Sequence, residues 1–179
     1  GIAIIAQASP PNSLNQNSFI PSQFQAIPLS QFQAHDTSVI SVSFSPDGKN
    51  LLTSSSNGST KIWKRTGEQI VELKRDDSII WSSKFSPDGK QVLTGAQDKI
   101  ARLWSNDGKL ITEFRGHKDW VNSVSFSPDA NQVLTASSDS TAKLWDRQGR
   151  MIKDFTGHKG IVWSAAFSPD GKLVATGSS

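Results

Sequence analysis

The sequence predicts an all-β fold made of one four-stranded antiparallel unit repeated along the chain. Three observations carry this. The words FSPDG, FSPDG, FSPDA and FSPDG begin at Phe44, Phe85, Phe126 and Phe167, each 41 residues after the last. The same interval separates Trp63, Trp104 and Trp145, and it separates His35, Asp76, His117 and His158. Between these markers short β-type runs alternate with turn residues, and no helix is needed. A strict interval of this kind marks a repeat architecture.

Residues 1–28 form an arm before the repeats. The first 34 residues contain no Lys, Arg, Asp or Glu and are rich in Gln, Ser, Asn and Pro, a linker-like composition. Within the arm, GIAIIAQA is apolar and ends in Ala6-Gln7-Ala8 before Ser9. This is either the tail of an export signal with its small-x-small cleavage site after Ala8, or a short apolar strand or piece of a preceding domain. The two readings leave periplasm and cytoplasm both open. Repeats then occupy residues 29–179. Leu29 to Gln33 reads as a fourth-type strand, followed by units at 31–71, 72–112 and 113–153 and a partial unit at 154–179.

The third unit shows each element. Val121 to Ser127 alternates as a strand. Pro128-Asp129-Ala130-Asn131 is a tight turn, with Pro fixing φ and Asp accepting backbone hydrogen bonds. Gln132 to Ser137 is a second strand, Ser138-Asp139-Ser140 a second turn, and Thr141 to Asp146 a third strand. Arg147-Gln148-Gly149 turns into the last strand, Arg150 to Phe155. Four such strands without a helix make one blade of a β-propeller. After the first 30 residues, 149 remain, about 3.6 units of 41. The expected architecture is an incomplete, open arc. Further blades of a longer chain would complete it most simply, and a second copy less simply.

These motifs carry a resemblance. Gly116-His117, Phe126-Ser127-Pro128-Asp129, Leu134 to Asp139 and Leu144-Trp145-Asp146 are similar to the WD40-repeat family, in the style of bacterial proteins with near-identical repeats. Trp63 and Trp104 are followed by Lys64 and Ser105, so only the third unit keeps the Trp-Asp pair. The resemblance implies a structural tetrad of His117, Thr135, Asp139 and Trp145, with Thr135 or Ser137 supplying the hydroxyl. A nucleophilic triad is the weaker reading, because catalysis does not need a copy in every unit. The first unit offers His35, Thr53, Asn57 and Trp63, with Asn at the carboxylate position. The second offers Asp76, Thr94, Asp98 and Trp104. Its two carboxylates would repel unless one is protonated or water and Arg75 intervene, so a broken tetrad is expected. The last unit supplies His158 and Thr176.

Composition closes several classes. No Cys is present, so thiol nucleophiles, disulfides and Cys-ligated metals are excluded. Histidines on different blades cannot share a metal. No phosphate-binding glycine loop or HExxH is found, and no cofactor is expected. No apolar run is long enough to span a membrane. The net charge of +3 is mild. The cations Lys61, Lys64, Arg65, Lys74, Arg75, Arg102, Lys143, Arg147 and Arg150 interleave with acids, which reads as a solvated rim rather than a nucleic-acid track.

The remaining tryptophans point to partners. Counted from the His position, the third place holds Ser38, Ile79, Trp120 and Ile161, and the fifth holds Ile40, Trp81, Asn122 and Trp163. The resemblance implies that these places, with Ser56, Gln97 and Ser138 before the turn acid, belong to a bulge on the propeller's top face. Ile40, Ile79, Trp81, Gln97, Trp120, Asn122, Ile161 and Trp163 are therefore the candidate contacts for a protein or peptide, with Trp as anchors. The alternative is that these Trp pack between blades. At the level of function, a non-enzymatic interaction scaffold is expected. The other reading is a regulatory or sensor module of an NTPase, kinase or peptidase whose catalytic domain lies elsewhere.

Overall fold

The computed structural model describes residues 1–8, 26–74 and 77–179, and these fold as sixteen strands with no helix among the described residues. β3 (Val39–Phe44), β4 (Asn50–Ser55), β5 (Thr60–Lys64) and β6 (Gln69–Leu73) form the first blade. β7 (Ile80–Phe85), β8 (Gln91–Ala96), β9 (Ile100–Ser105) and β10 (Leu110–Arg115) form the second. β11 (Val121–Phe126), β12 (Gln132–Ser137), β13 (Ala142–Asp146) and β14 (Met151–Phe155) form the third. β15 (Val162–Phe167) and β16 (Val174–Ser178) pair as a two-stranded sheet.

β1 (Ile2–Ala8) and β2 (Ala26–Gln33) pair antiparallel with each other. The GIAIIAQA segment is thus a strand, and β2 begins three residues before the expected Leu29; residues 9–25 of the arm lie outside the described residues. The pairing repeats that of the outer two strands of a blade. Ala3 faces Phe32 as Thr60 faces Leu73, and the register slips between Ile5 and Ala6 as it does between Ile62 and Trp63. Ala6 therefore occupies the register position of Trp63.

No blade holds a core of its own. Along each second strand, consecutive residues point to opposite faces, and both faces are covered. Leu51 packs with Ala3, Ala34 and Trp63, while Leu52 packs with Ile62, Leu73, Val92 and Trp104. Val92 belongs to that same cluster, while Leu93 joins Phe114, Val121, Val124 and Trp145. Val133 lies on the Leu93 side and Leu134 on the side of Val162 and Ala165. This two-sided burial explains why LLTSS, VLTGA and VLTAS read as continuous runs instead of alternating ones.

Successive blades meet through their first strands: β3 lies against β7, β7 against β11, and β11 against β15. Such an innermost strand has a sheet partner on one edge only, so some of its N–H groups need other acceptors. Serine supplies them. Ser41 Oγ accepts the Ser83 N–H at 3.2 Å, and Ser82 Oγ accepts the Val124 N–H at 3.3 Å. Ser123 and Ser164 continue this series at the same interval.

The turn after each first strand is also built by side chains. Ser45, Ser86, Ser127 and Ser168 each donate to the Asp two residues on, at 2.5–2.6 Å. Each hydroxyl also accepts the N–H that opens the second strand, at 2.9–3.0 Å. The next position needs positive φ. Gly48, Gly89 and Gly171 supply it at 69°, 69° and 72°, whereas Ala130 is held at 59°. A Cβ is costly there. Ala130→Gly should therefore stabilise the chain by about 0.5–1 kcal/mol despite the freer unfolded state. Urea unfolding measures this, and an unchanged or lower midpoint would contradict it.

Candidate functional site

Each first strand carries a bulge just after its start. The register with the second strand slips between Val39 and Ser41, Ile80 and Ser82, Val121 and Ser123, and Val162 and Ser164. The extra residue is Ile40, Trp81, Asn122 or Trp163. A bulge re-aims the side chain of the added residue. Two residues earlier, the carbonyls of Ser38, Ile79, Trp120 and Ile161 accept the N–H of Ser56, Gln97, Ser138 and Ser179 at 2.9–3.1 Å. This ties the bulge loop to the turn between second and third strands, so both present their residues on one face.

On that face the fifth place reaches over to the next blade. The Trp81 ring stacks on Trp120 with centroids 5.5 Å apart and planes 21° apart. Asn122 Nδ2 donates to Ser138 Oγ at 3.0 Å and to Val162 O at 3.1 Å, so it links the third blade to β15. Trp81 is half-buried, while Trp120 is 38% and Trp163 55% exposed. Ile40 is exposed; Ile79, Gln97 and Ile161 are half-buried. Trp81 and Trp120 are brought together across one blade junction, while Ile79 and Gln97 are tied to each other through backbone within the second blade. Asn122 is engaged in holding blades, and Ile40 stands two blades away from Trp120 along the array.

Below this face lies the polar set. In the third blade, Trp145 Nε1 donates to Thr135 Oγ1 at 2.9 Å, and Thr135 lies 2.7 Å from His117 Nε2. His117 Nδ1 is 2.8 Å from Asp139. The acceptor at Nδ1 fixes the proton there, so the Thr135 hydroxyl donates to Nε2. Thr135 rather than Ser137 supplies the hydroxyl; Ser137 donates to Asp119 O at 3.0 Å. Burial pulls His117 below its usual range, opposed by Asp139. Burial likewise opposes the charge of Asp139, but bonds from Thr141, the Lys118 amide and His117 outweigh it and hold the carboxyl at about 2.

The other blades depart from this set. In the first, Trp63 Nε1 donates to Thr53 and Thr53 meets His35 Nε2, both at 2.8 Å. Asn57 instead takes bonds from Ser55 and Ser59, and the buried His35 Nδ1 has no partner. Burial, with the Lys61 cation beside it, lowers His35 to about 4. In the second, Trp104 still donates to Thr94 at 2.9 Å, but Asp98 pairs with Arg102. Arg75 and Asp76 lie outside the described residues. In the last, His158 meets Thr176 at 2.7 Å and Ser178 at 2.8 Å.

The expected solvated rim needs one correction. Arg102 and Lys143 are only 4% and 5% exposed. They sit opposite Glu113 and Asp154 on the neighbouring strand and bond to them at 3.1 Å and 2.6 Å. Lys61 faces Glu72 in the same register. The shared 41-residue interval of both partners was the available signal; the length of these side chains, which lets them lie along the blade with paired heads, hid it. Lys64, Lys74 and Arg150 pair on the surface with Glu68, Asp77 and Asp146. Among the described residues no three His, Asp or Glu side chains group as a metal site, and no helix is long and apolar enough to cross a membrane.

Four consecutive segments, 26–64, 67–105, 108–146 and 149–179, match the family model of the WD domain, G-beta repeat. The chain belongs to the WD40-repeat family. Comparison with curated proteins gives no match. WD40 repeats are generally protein-interaction modules and are typically non-catalytic. Each complete WD40 segment begins on the outer strand of one blade and ends on the third strand of the next, as 26–64 runs from β2 to β5. The repeat in sequence thus spans the very junction where the blades pack.

The orphaned His35 nitrogen sets a pH dependence. The folded ring titrates near 4 and the unfolded ring at 6.5. Between these values the unfolded chain binds more protons, so this contribution is complete above pH 6.5 and is lost as pH falls toward 4. Asn57→Asp gives Nδ1 an acceptor, as Asp139 does for His117. In melts followed by circular dichroism, the variant should lose less melting temperature than the parent between pH 7 and pH 5. An equal or greater loss would show that position 57 does not reach the ring.

Proposed function

We propose that this WD40 chain is a non-enzymatic platform that binds a protein or peptide on its bulge face, centred on the Trp81–Trp120 pair. The observation that carries this reading is the stack itself. Two indoles from adjacent blades form one continuous aromatic surface, and Trp120 keeps a third of its area in water. Such anchors dominate binding energy at interfaces. The blades beneath are held by buried cores, so the pair is presented on a rigid support, which lowers the ordering cost of association. Trp163, Ile79 and Ile161 extend the apolar surface to either side. Pairing of the cations Arg102, Lys143, Lys64, Lys74 and Arg150 with acids leaves little unbalanced positive charge on these strands for a phosphate backbone.

The test is to select peptides from a random displayed library against the chain and measure their affinity for variants. Trp120→Ala should cost about 2 kcal/mol or more, roughly thirtyfold in Kd, while its melting temperature stays near that of the parent. Trp145→Ala, which empties a buried site between blades, should instead unfold or strongly destabilise the chain. Selected peptides that bind Trp120→Ala and Trp81→Ala unchanged would overturn the reading. So would unfolding of Trp120→Ala, since the pair would then be blade packing alone.

A further inference from the structure

The inner strands enclose a second feature, apart from the bulge-face stack. A groove of about 560 Å³ runs across β3, β7, β11 and β15, so all four inner strands contribute to it. This is the size of an ordinary ligand site. Its walls are aromatic at Phe44, Phe126 and Trp163, and hydroxyls from Ser43 and Ser125 line it between them. Lys84 is the single charged residue among the lining side chains.

Three facts give the groove a polarity. Lys84 is exposed and makes no ion pair among the described residues, unlike Arg102 and Lys143 on the outer strands. At the repeat interval from Lys84 stand Ser43, Ser125 and Ala166, so the cation is a local departure that the blade does not require. The Ser43 hydroxyl is buried at the groove and has no hydrogen-bond partner. A buried polar atom without a partner is costly, and rotation of the Ser43 side chain toward the groove would let a ligand group satisfy it. An uncharged, hydroxyl-lined cleft with one unpaired ammonium is complementary to a chain that carries a negative group among polar neighbours.

We infer that this groove binds an acidic peptide segment, with a carboxylate received by Lys84 and polar groups received by the serine hydroxyls. The Lys84 ammonium is a point charge with three donors, and a charge-assisted bond in a partly desolvated groove is stronger than a neutral one. The aromatic walls cover the flanking aliphatic parts of the segment. The groove shares Trp163 with the apolar surface beside the Trp81–Trp120 pair, but Lys84, Ser43 and Ser125 belong to the groove and the indole pair does not, so variants at Lys84 and Trp120 separate the two sites.

The experiment uses the full chain and fluorescein-labelled peptides of eight alternating Glu and Ser residues, or eight alternating Gln and Ser residues, followed by anisotropy. The Glu peptide should bind about tenfold or more tightly than the Gln peptide. Lys84→Ser installs the residue that positions 43 and 125 already carry, so it keeps the fold, and it should abolish the preference. Trp120→Ala should leave the preference intact. Equal binding of the two peptides, binding of neither, or a preference that survives Lys84→Ser would each overturn the inference. Full displacement of the Glu peptide by millimolar inorganic phosphate would also overturn it, by showing a site for free anions.

Discussion

The structure depends on one constraint: the second strand of each four-stranded blade is buried on both faces, and neither face is covered by its own blade alone. Leu51 and Leu52, Val92 and Leu93, and Val133 and Leu134 each split between two clusters that belong to different junctions. A blade alone would leave both faces in water. Stability is therefore carried by nearest-neighbour interfaces, and buried polar groups have to find their partners within a thin sheet. The tryptophans make this acute. Trp63, Trp104 and Trp145 contribute area to the junction with the preceding blade, where Trp63 meets Phe32 and Trp145 meets Phe114. Their indole N–H must then find an acceptor on the same buried surface.

The threonine of the second strand is that acceptor in all three blades. What lies beyond the threonine differs. A His–Asp pair completes the relay in the third blade, and a His with an unpartnered nitrogen ends it in the first. In the second, Asp98 turns away to Arg102. The indole–threonine bond is thus the invariant requirement of this chain, because the indole is locked in the junction by packing. The outer members vary: Ser178 stands beside His158 in the last sheet, and Asp98 pairs with the buried Arg102 in the second blade. Asp98 is free to change partners because Arg102, not a histidine, is within its reach.

Much of this was legible because the interval is strict. The markers at 41 residues located the blades, and turn chemistry placed the strand ends; β12 runs from Gln132 to Ser137 as the pattern indicates. The tetrad was implied by the resemblance to the WD40-repeat family rather than by spacing, which left Thr135 and Ser137 both open as the hydroxyl; the bond from Trp145 to Thr135 decides between them. Three features were hidden. β1 carries no marker, since Ala6 takes the register position of Trp63, and the long segment after it breaks the interval. The buried Arg102 and Lys143 look like surface cations because residue type outweighs context in a single sequence. The serine series at 41, 82, 123 and 164 repeats as faithfully as the tryptophans, but a small hydroxyl in a serine-rich chain draws no notice. Its role depends on an N–H of the next blade, which no sequence pattern displays.

A repeat also separates what the scaffold demands from what it permits. Positions fixed at every interval (the turn Ser and Asp, the second-strand Leu or Val, the inner serine) answer the two-sided burial and the unpaired inner strand edge. Positions that change from blade to blade without loss of a structural bond are free of those demands. Two such sets stand out. The bulge residue is Ile40, Trp81, Asn122 or Trp163, and the inner-strand residue is Ser43, Lys84, Ser125 or Ala166. Each set contains a member that stands out from its equivalents: an indole stacked across a junction with its partner partly in water, and a lone cation in an otherwise uncharged groove. Asn122 shows the limit of this reasoning within the first set, since it has been recruited to hold Val162 O. Variation alone does not mark a contact residue. Our two proposals therefore rest on the narrower case, variation that leaves an aromatic face or a charge exposed, as at Trp120 beside Trp81 and separately at Lys84.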